Sequence, residues 1–189
     1  ISGEAAMGTL RMLLTKPITR TQLLMSKFLA GGIYTFLIVL WLGFMAVGIG
    51  RYLFGPGDLM VLNSDGLVIL QEGDIMWRYI CAFCVAFLAL FTISSLSICL
   101  SCFSDNSIGP IVATMAIILF FTIINALDVP IFDPIRPLLF TTHMASWRSF
   151  FEDPLPWQQI KQSSLVLIVH NILFIGISIF TFNRKDITV

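Results

Sequence analysis

Four long runs without a charged residue divide the chain: 28–50, 79–103, 108–127 and 163–182. At 1.5 Å per residue each is long enough to cross about 30 Å of hydrocarbon. None alternates with the two-residue period of a barrel strand. In lipid every backbone N–H and C=O must be bonded within its own segment, so each run predicts a transmembrane helix. The polar stretches between them carry their own patterns. In the opening lead, Met7, Leu10 and Leu14 recur at helical spacing while Glu4 and Arg11 fall on other faces, which predicts a short amphipathic helix from Ser2 to Leu14. Pro17 ends it. Thr19 and Gln22 form a capping-box pair, so a second helix starts near Arg20 and runs straight into the first span.

After the first span, Gly55-Pro56-Gly57 and Asn63-Ser64-Asp65-Gly66 supply turn chemistry around the apolar run Leu67 to Leu70. That predicts a folded hairpin or short helix rather than a span. Asp105-Asn106-Ser107 reads as a tight turn in which Ser107 caps the third span, with Pro110 in the first helical turn, where its missing N–H is harmless. Before the last span, Phe140, Met144, Trp147 and Phe151 fall at i, i+4, i+7 and i+11, one apolar stripe closed by Asp153-Pro154. It predicts an outer helix lying in the membrane interface. The fold class is therefore all-α and polytopic: an opening unit over 1–27 and a transmembrane domain over 28–189 with four spans.

Composition agrees, with 57% hydrophobic and 12% charged residues against about a quarter charged in soluble domains. The formal net charge of zero implies no polyanionic partner, nucleic acid included. The first apolar run follows a long polar lead, unlike a cleavable signal. The chain does not open on Met, and residue 1 already sits in an amphipathic pattern, so a further part is expected upstream. With the N-terminus inside, Arg11, Lys16, Arg20, Lys27, Arg184 and Lys185 cluster in short cytoplasmic pieces. Arg51, Arg78, Arg136, Arg148 and Lys161 are spread over longer outer ones. That asymmetry, with Trp77, Trp147 and Trp157 on the outer side, predicts both termini in the cytoplasm.

Chemistry-bearing residues are few. Cys81, Cys84, Cys99 and Cys102 have a zinc-like C-x2-C-x14-C-x2-C spacing. On one helix, however, the pairs stand about 27 Å apart at 1.5 Å per residue, whereas zinc needs its thiolates at about 2.3 Å. They are read as apolar packing residues and no metal is expected. Ser94, Ser95, Ser97 and Ser101 give the same helix a small polar face suited to helix packing. Gly31, Gly32, Gly43, Gly48 and Gly50 in the first span permit close helix approach. His170 and Asn171 are the most polar pair inside any span and a candidate wall of a substrate path, against the plainer role of bonding helices together. No phosphate-binding Gly-rich loop with Lys and no Gly-x-Ser-x-Gly occurs, and neither His143 nor His170 sits in a recognisable catalytic pattern, so no catalytic residue is assigned. No Asp, Glu, Lys or Arg lies inside the four runs. A mid-span charge costs about 2.5 to 3.5 kcal/mol on insertion scales and is kept for ion or proton traffic, so its absence points to an energy source elsewhere.

The opening stretch admits two readings on physics alone, an interfacial helix lying on anionic lipid or a surface for a partner. Glu4, Gly8-Thr9-Leu10, Leu13-Leu14, Pro17, Thr19-Arg20 and Lys27 resemble the pattern E…GTL…LL..P.(S/T)R……K of permease subunits of type-2 ATP-binding-cassette (ABC) exporters. The run LLFTTHMASW (138–147) and the ending Phe182 to Ile187 are similar to segments of that family as well. The resemblance implies that residues 1–27 form a cytoplasmic coupling helix and elbow, with Glu4, Gly8, Thr9, Leu10, Leu14, Pro17 and Arg20 contacting a separate ATPase subunit. The four spans would then be the third to sixth of six, preceded by two upstream. It further implies a second permease subunit, ATP and magnesium held by the partner ATPase with no cofactor in this chain, and residence in a bacterial cytoplasmic membrane. Two rivals predict otherwise: an intramembrane enzyme acting on lipid or peptide with His170 as base, and a non-catalytic assembly factor.

Overall fold

The computed structural model describes residues 1–6, 19–63, 66–127 and 129–184. Four helices are long and apolar enough to cross a membrane: Arg20–Phe54, Glu72–Phe103, Ile108–Ala126 and Trp157–Arg184. This supports a membrane protein, as the charge-free runs predict. The helices overrun those runs, because Lys27, Arg51, Glu72, Asp74 and Arg78 are themselves helical. At 1.5 Å per residue the 19 residues of Ile108–Ala126 span about 28 Å. The 35 of Arg20–Phe54 would reach about 52 Å, so their charged ends project beyond any hydrocarbon layer.

In chain order, a short helix α1 (Ser2–Ala6) precedes α2 (Arg20–Gly43). Residues Gly8, Thr9, Leu10, Leu14 and Pro17 lie outside the described residues. Helix α2 starts at the expected capping box. The Gln22 N–H donates to Thr19 Oγ1 at 3.2 Å, and the Thr19 N–H donates to Gln22 Oε1 at 3.0 Å. The span then passes through a π-helical stretch, Phe44–Ile49, into α3 (Gly50–Phe54). Gly55 ends it at φ +77°, a left-handed conformation that a residue without Cβ adopts without strain. The segment that follows is an antiparallel hairpin, β1 (Leu59–Asn63) paired with β2 (Gly66–Leu70) in the register Leu59↔Leu70.

Helix α4 (Glu72–Phe103) is the central element. It packs against α2, α5 (Ile108–Ala126) and α7 (Trp157–Arg184), and α2 also touches α7. Three apolar clusters stack along this bundle. Leu23, Leu24, Phe28, Cys102 and Phe182 close the end that holds α1. Ala89, Leu96, Phe140 and Leu167 lie between. Leu70, Ala82, Val85, Phe150, Phe151 and Ile160 close the hairpin end. There Trp77 and Trp157 stack with ring centroids 6.3 Å apart.

Two local expectations are corrected. Ser107 does not cap α5; the Ile108 N–H donates instead to Asn106 Oδ1 at 3.1 Å. The stripe Phe140–Phe151 is not one interfacial helix. It forms α6 (Phe140–His143), a turn at Ala145, and a 3-10 stretch over Ser146–Phe151. At the break Ser146 Oγ donates to the His143 carbonyl at 2.7 Å, which satisfies one of the terminal acceptors of α6. Phe140, Phe150 and Phe151 accordingly turn into the bundle and are buried.

Candidate functional site

The opening segment is joined to three spans at one end of the bundle. From α1, the Ser2 N–H donates to Ser101 Oγ of α4 at 2.8 Å, and Glu4 forms an ion pair with Lys27 of α2. Arg20, at the start of α2, donates through Nη1 to the carbonyls of Phe182 and Asn183 at 3.4 and 3.3 Å. These are terminal carbonyls of α7, where the helix dipole favours a cation. Of the residues expected to contact a partner, Glu4 and Arg20 are thus placed together on this end.

Deeper in the bundle, Asn171 is 5% exposed and its polar atoms are committed. Ser95 Oγ donates to Asn171 Oδ1 at 2.7 Å. The Asn171 amide donates to Thr92 Oγ1 at 2.7 Å and to the Leu167 carbonyl at 2.9 Å. Both N–H hydrogens are therefore used, and the side chain bolts α7 to α4. His170 behaves differently. Its Nδ1–H donates to the Val166 carbonyl at 2.8 Å. The ring lies between Phe140 and Phe174, with centroids 5.8 and 5.9 Å away. No nucleophile bonds to it among the described residues, so the geometry gives it no proton-transfer partner.

A histidine pairing missed by sequence reasoning lies at the other end. Ser163 Oγ and His143 Nδ1 are 2.9 Å apart, and His143 Nε2 is 2.9 Å from the Pro137 carbonyl. A carbonyl accepts only, so Nε2 carries the hydrogen and Nδ1 accepts from the serine hydroxyl. The fold thus sets a serine beside His143 that no sequence pattern placed there. The hydroxyl belongs to a residue 4% exposed and the imidazole to one 7% exposed, so the pair is closed to substrate and pins the broken segment to α7. No signal in the spacing marks it. Twenty residues separate the partners, and only the folding back of 130–156 brings them together.

Arg78 is a further buried polar side chain at the hairpin end. It is 6% exposed, yet its Nη1 donates to the carbonyls of Phe150 and Glu152 at 3.1 and 2.9 Å. A buried cation bonded to backbone carbonyls holds the 3-10 stretch down on α4. The cysteines all lie on that single helix, with Cys99 and Cys102 buried and Cys84 exposed.

No curated protein and no solved structure matches the sequence. A family profile described as "Protein of unknown function (DUF2705)" matches residues 1–188. That coverage takes in the opening segment, all four spans and the hairpin end, and the chain belongs to the DUF2705 family.

Proposed function

We propose that the chain is the membrane-spanning permease subunit of an ATP-driven ABC exporter, coupled to a separate ATPase subunit and paired with a second permease subunit. The observation that carries this reading is the attachment of the opening helix to two spans, Ser2 to α4 and Glu4 to α2, with Arg20 at the start of α2 tying that span in turn to α7. A push on residues 1–27 is thereby delivered to three helices at once, as rigid tilting of packed elements requires. The absence of any charge within the four apolar runs supports an energy source on another chain. In this reading the segment is the coupling helix, the Thr19–Gln22 capping box holds the elbow, both termini face the cytoplasm, and the hairpin end faces out of a bacterial cell. The chain itself is a transport subunit and not an enzyme; ATP and magnesium belong to the partner.

The test is co-purification of the intact membrane complex. Leu10→Asp with Leu14→Asp places two carboxylates on the apolar stripe of the proposed contact. Loss of the ATPase partner, with the four-span protein still inserted, is the expected result. Retention of that partner at full stoichiometry overturns the docking role.

A further inference from the structure

The hairpin end contains two adjoining cavities of opposite character. One, with about 470 Å³ of open volume, is walled by α2, α4 and the broken segment before the last span. Its α4 wall presents Ala82, Ala86 and Ala89, at i, i+4 and i+7 on one face, and their small side chains give it depth. Met144 and Trp147 line it from the broken segment. The second cavity, about 360 Å³, is lined by Arg51, Asp58 and Glu72 beneath the turn at Gly55. Ala46 and Tyr79 line both, so the two chambers share a wall. Their volumes fall in the range of about 300 to 1,000 Å³ typical of small-molecule sites.

The charges at the polar chamber do not balance. Arg51 Nη2 sits 2.6 Å from Glu72 Oε1, which neutralises that pair. Asp58 adds a second carboxylate, bonded at 3.1 Å only to the Glu72 backbone N–H among the described contacts. The lining thus carries one cation and two anions. Tyr79, on the shared wall, stacks its ring on Phe83 and meets Phe151 at 5.1 Å.

We propose that these joined chambers form a binding site for a single-tailed amphiphile with a cationic head group. The tail lies along the alanine face beneath Trp147, and the head rests beside Asp58 and Glu72. This site does not depend on the transport reading: binding stands or falls on the chambers alone.

Trp147 lines the apolar chamber and is its own reporter. The full chain in nanodiscs of zwitterionic lipid would be titrated with an alkyltrimethylammonium brominated in mid-chain, and with an alkyl sulfate of the same length and bromination. Saturable quenching of tryptophan fluorescence is expected, with the cationic probe at least about fivefold tighter, the equivalent of one weak exposed ion pair. Trp147→Phe should remove the saturable component, and Ala86→Phe should weaken it by filling the chamber. Asp58→Asn with Glu72→Gln should reverse the order of the two probes. Quenching that rises linearly without saturation, that persists in Trp147→Phe, or that is equal for both head groups overturns the proposal.

Discussion

Replacing Asn171 with Ala removes the two hydrogen bonds that cross from α7 to α4. In the native bundle these form a relay: the Asn171 amide donates to Thr92 Oγ1, and the Thr92 hydroxyl passes its own hydrogen to the Leu88 carbonyl at 2.8 Å. After truncation Thr92 keeps that donation, and Ser95 can fall back on a carbonyl one turn earlier in its own helix. Neither hydroxyl is fully stranded. The cost is therefore that of two interhelical bonds in a membrane, at about 0.6 kcal/mol each on average and about 1.7 each at most. A loss of about 1 to 3 kcal/mol follows. Asn171→Asp keeps the acceptor for Ser95 but places a carboxylate within a span, which adds about 2.5 to 3.5 kcal/mol on insertion scales, so it should be the worse variant. Reversible unfolding in mixed micelles measures both. The decisive quantity is the coupling energy between Asn171→Ala and Ser95→Ala in a double-mutant cycle. A value near 0.6 kcal/mol is expected, and a value under about 0.3 kcal/mol, within ordinary additivity, refutes the bridge. The same cycle separates the bolt from a substrate wall: a wall residue would lower transport while leaving the unfolding midpoint in place.

Two further outcomes follow from close contacts on α4. Arg78→Met should release the 3-10 stretch at 146–151, since hydrogen bonds from a charged donor are each worth about 1.5 to 3 kcal/mol. Faster backbone amide exchange confined to 146–152 would report it, and exchange unchanged there would refute the clamp. Gly31 is a point of near contact between α2 and α4: a Cβ added there would meet Ser94 Oγ at 2.7 Å. Gly31→Val should cost about 1 to 3 kcal/mol by overpacking, whereas Gly50→Val, with nothing within 4 Å of its added Cβ, should leave the unfolding midpoint unchanged.

The spans were legible in the sequence because lipid imposes a strong filter: a charge-free run of sufficient length has few other uses. Of the five glycines read as points of close approach, Gly31, Gly32 and Gly43 sit where a Cβ would press on α4, against Ser94, Phe91 and Phe83, whereas Gly48 faces only Phe44 of its own span and Gly50 has nothing within 4 Å. The capping box was readable because both of its partners lie within one helical turn. Failure began where the partners are distant. The apolar period of Phe140 to Phe151 is right about burial at its two ends, where Phe140 and Phe151 are buried, but not at Trp147, which is exposed, and it is misleading as a record of backbone shape, which breaks at 144–145. The Ser163–His143 pair and the carbonyl cradle around Arg78 depend on how the segment before the last span folds back, and no local pattern encodes that return. Of the residues expected to meet a partner, only Glu4 and Arg20 acquire neighbours in the described structure, while Gly8, Thr9, Leu10, Leu14 and Pro17 remain readings of the sequence.

The π-helical stretch at Phe44–Ile49 sets an angular offset within the first span. In a regular helix each residue advances by about 100°, and a π-bulge accommodates one residue beyond the regular ladder. The side chains of Gly50–Phe54 therefore leave the bundle in a different azimuth from the one that Arg20–Gly43 alone would dictate. Beyond that offset Arg51 pairs with Glu72, across the gap where the hairpin leaves and rejoins the bundle. The span thus works as two rods joined by a fixed phase change. Its lower part keys into α4 through glycines, its upper part is aimed at the polar chamber, and a single-residue deletion between 44 and 49 would retune one without touching the other.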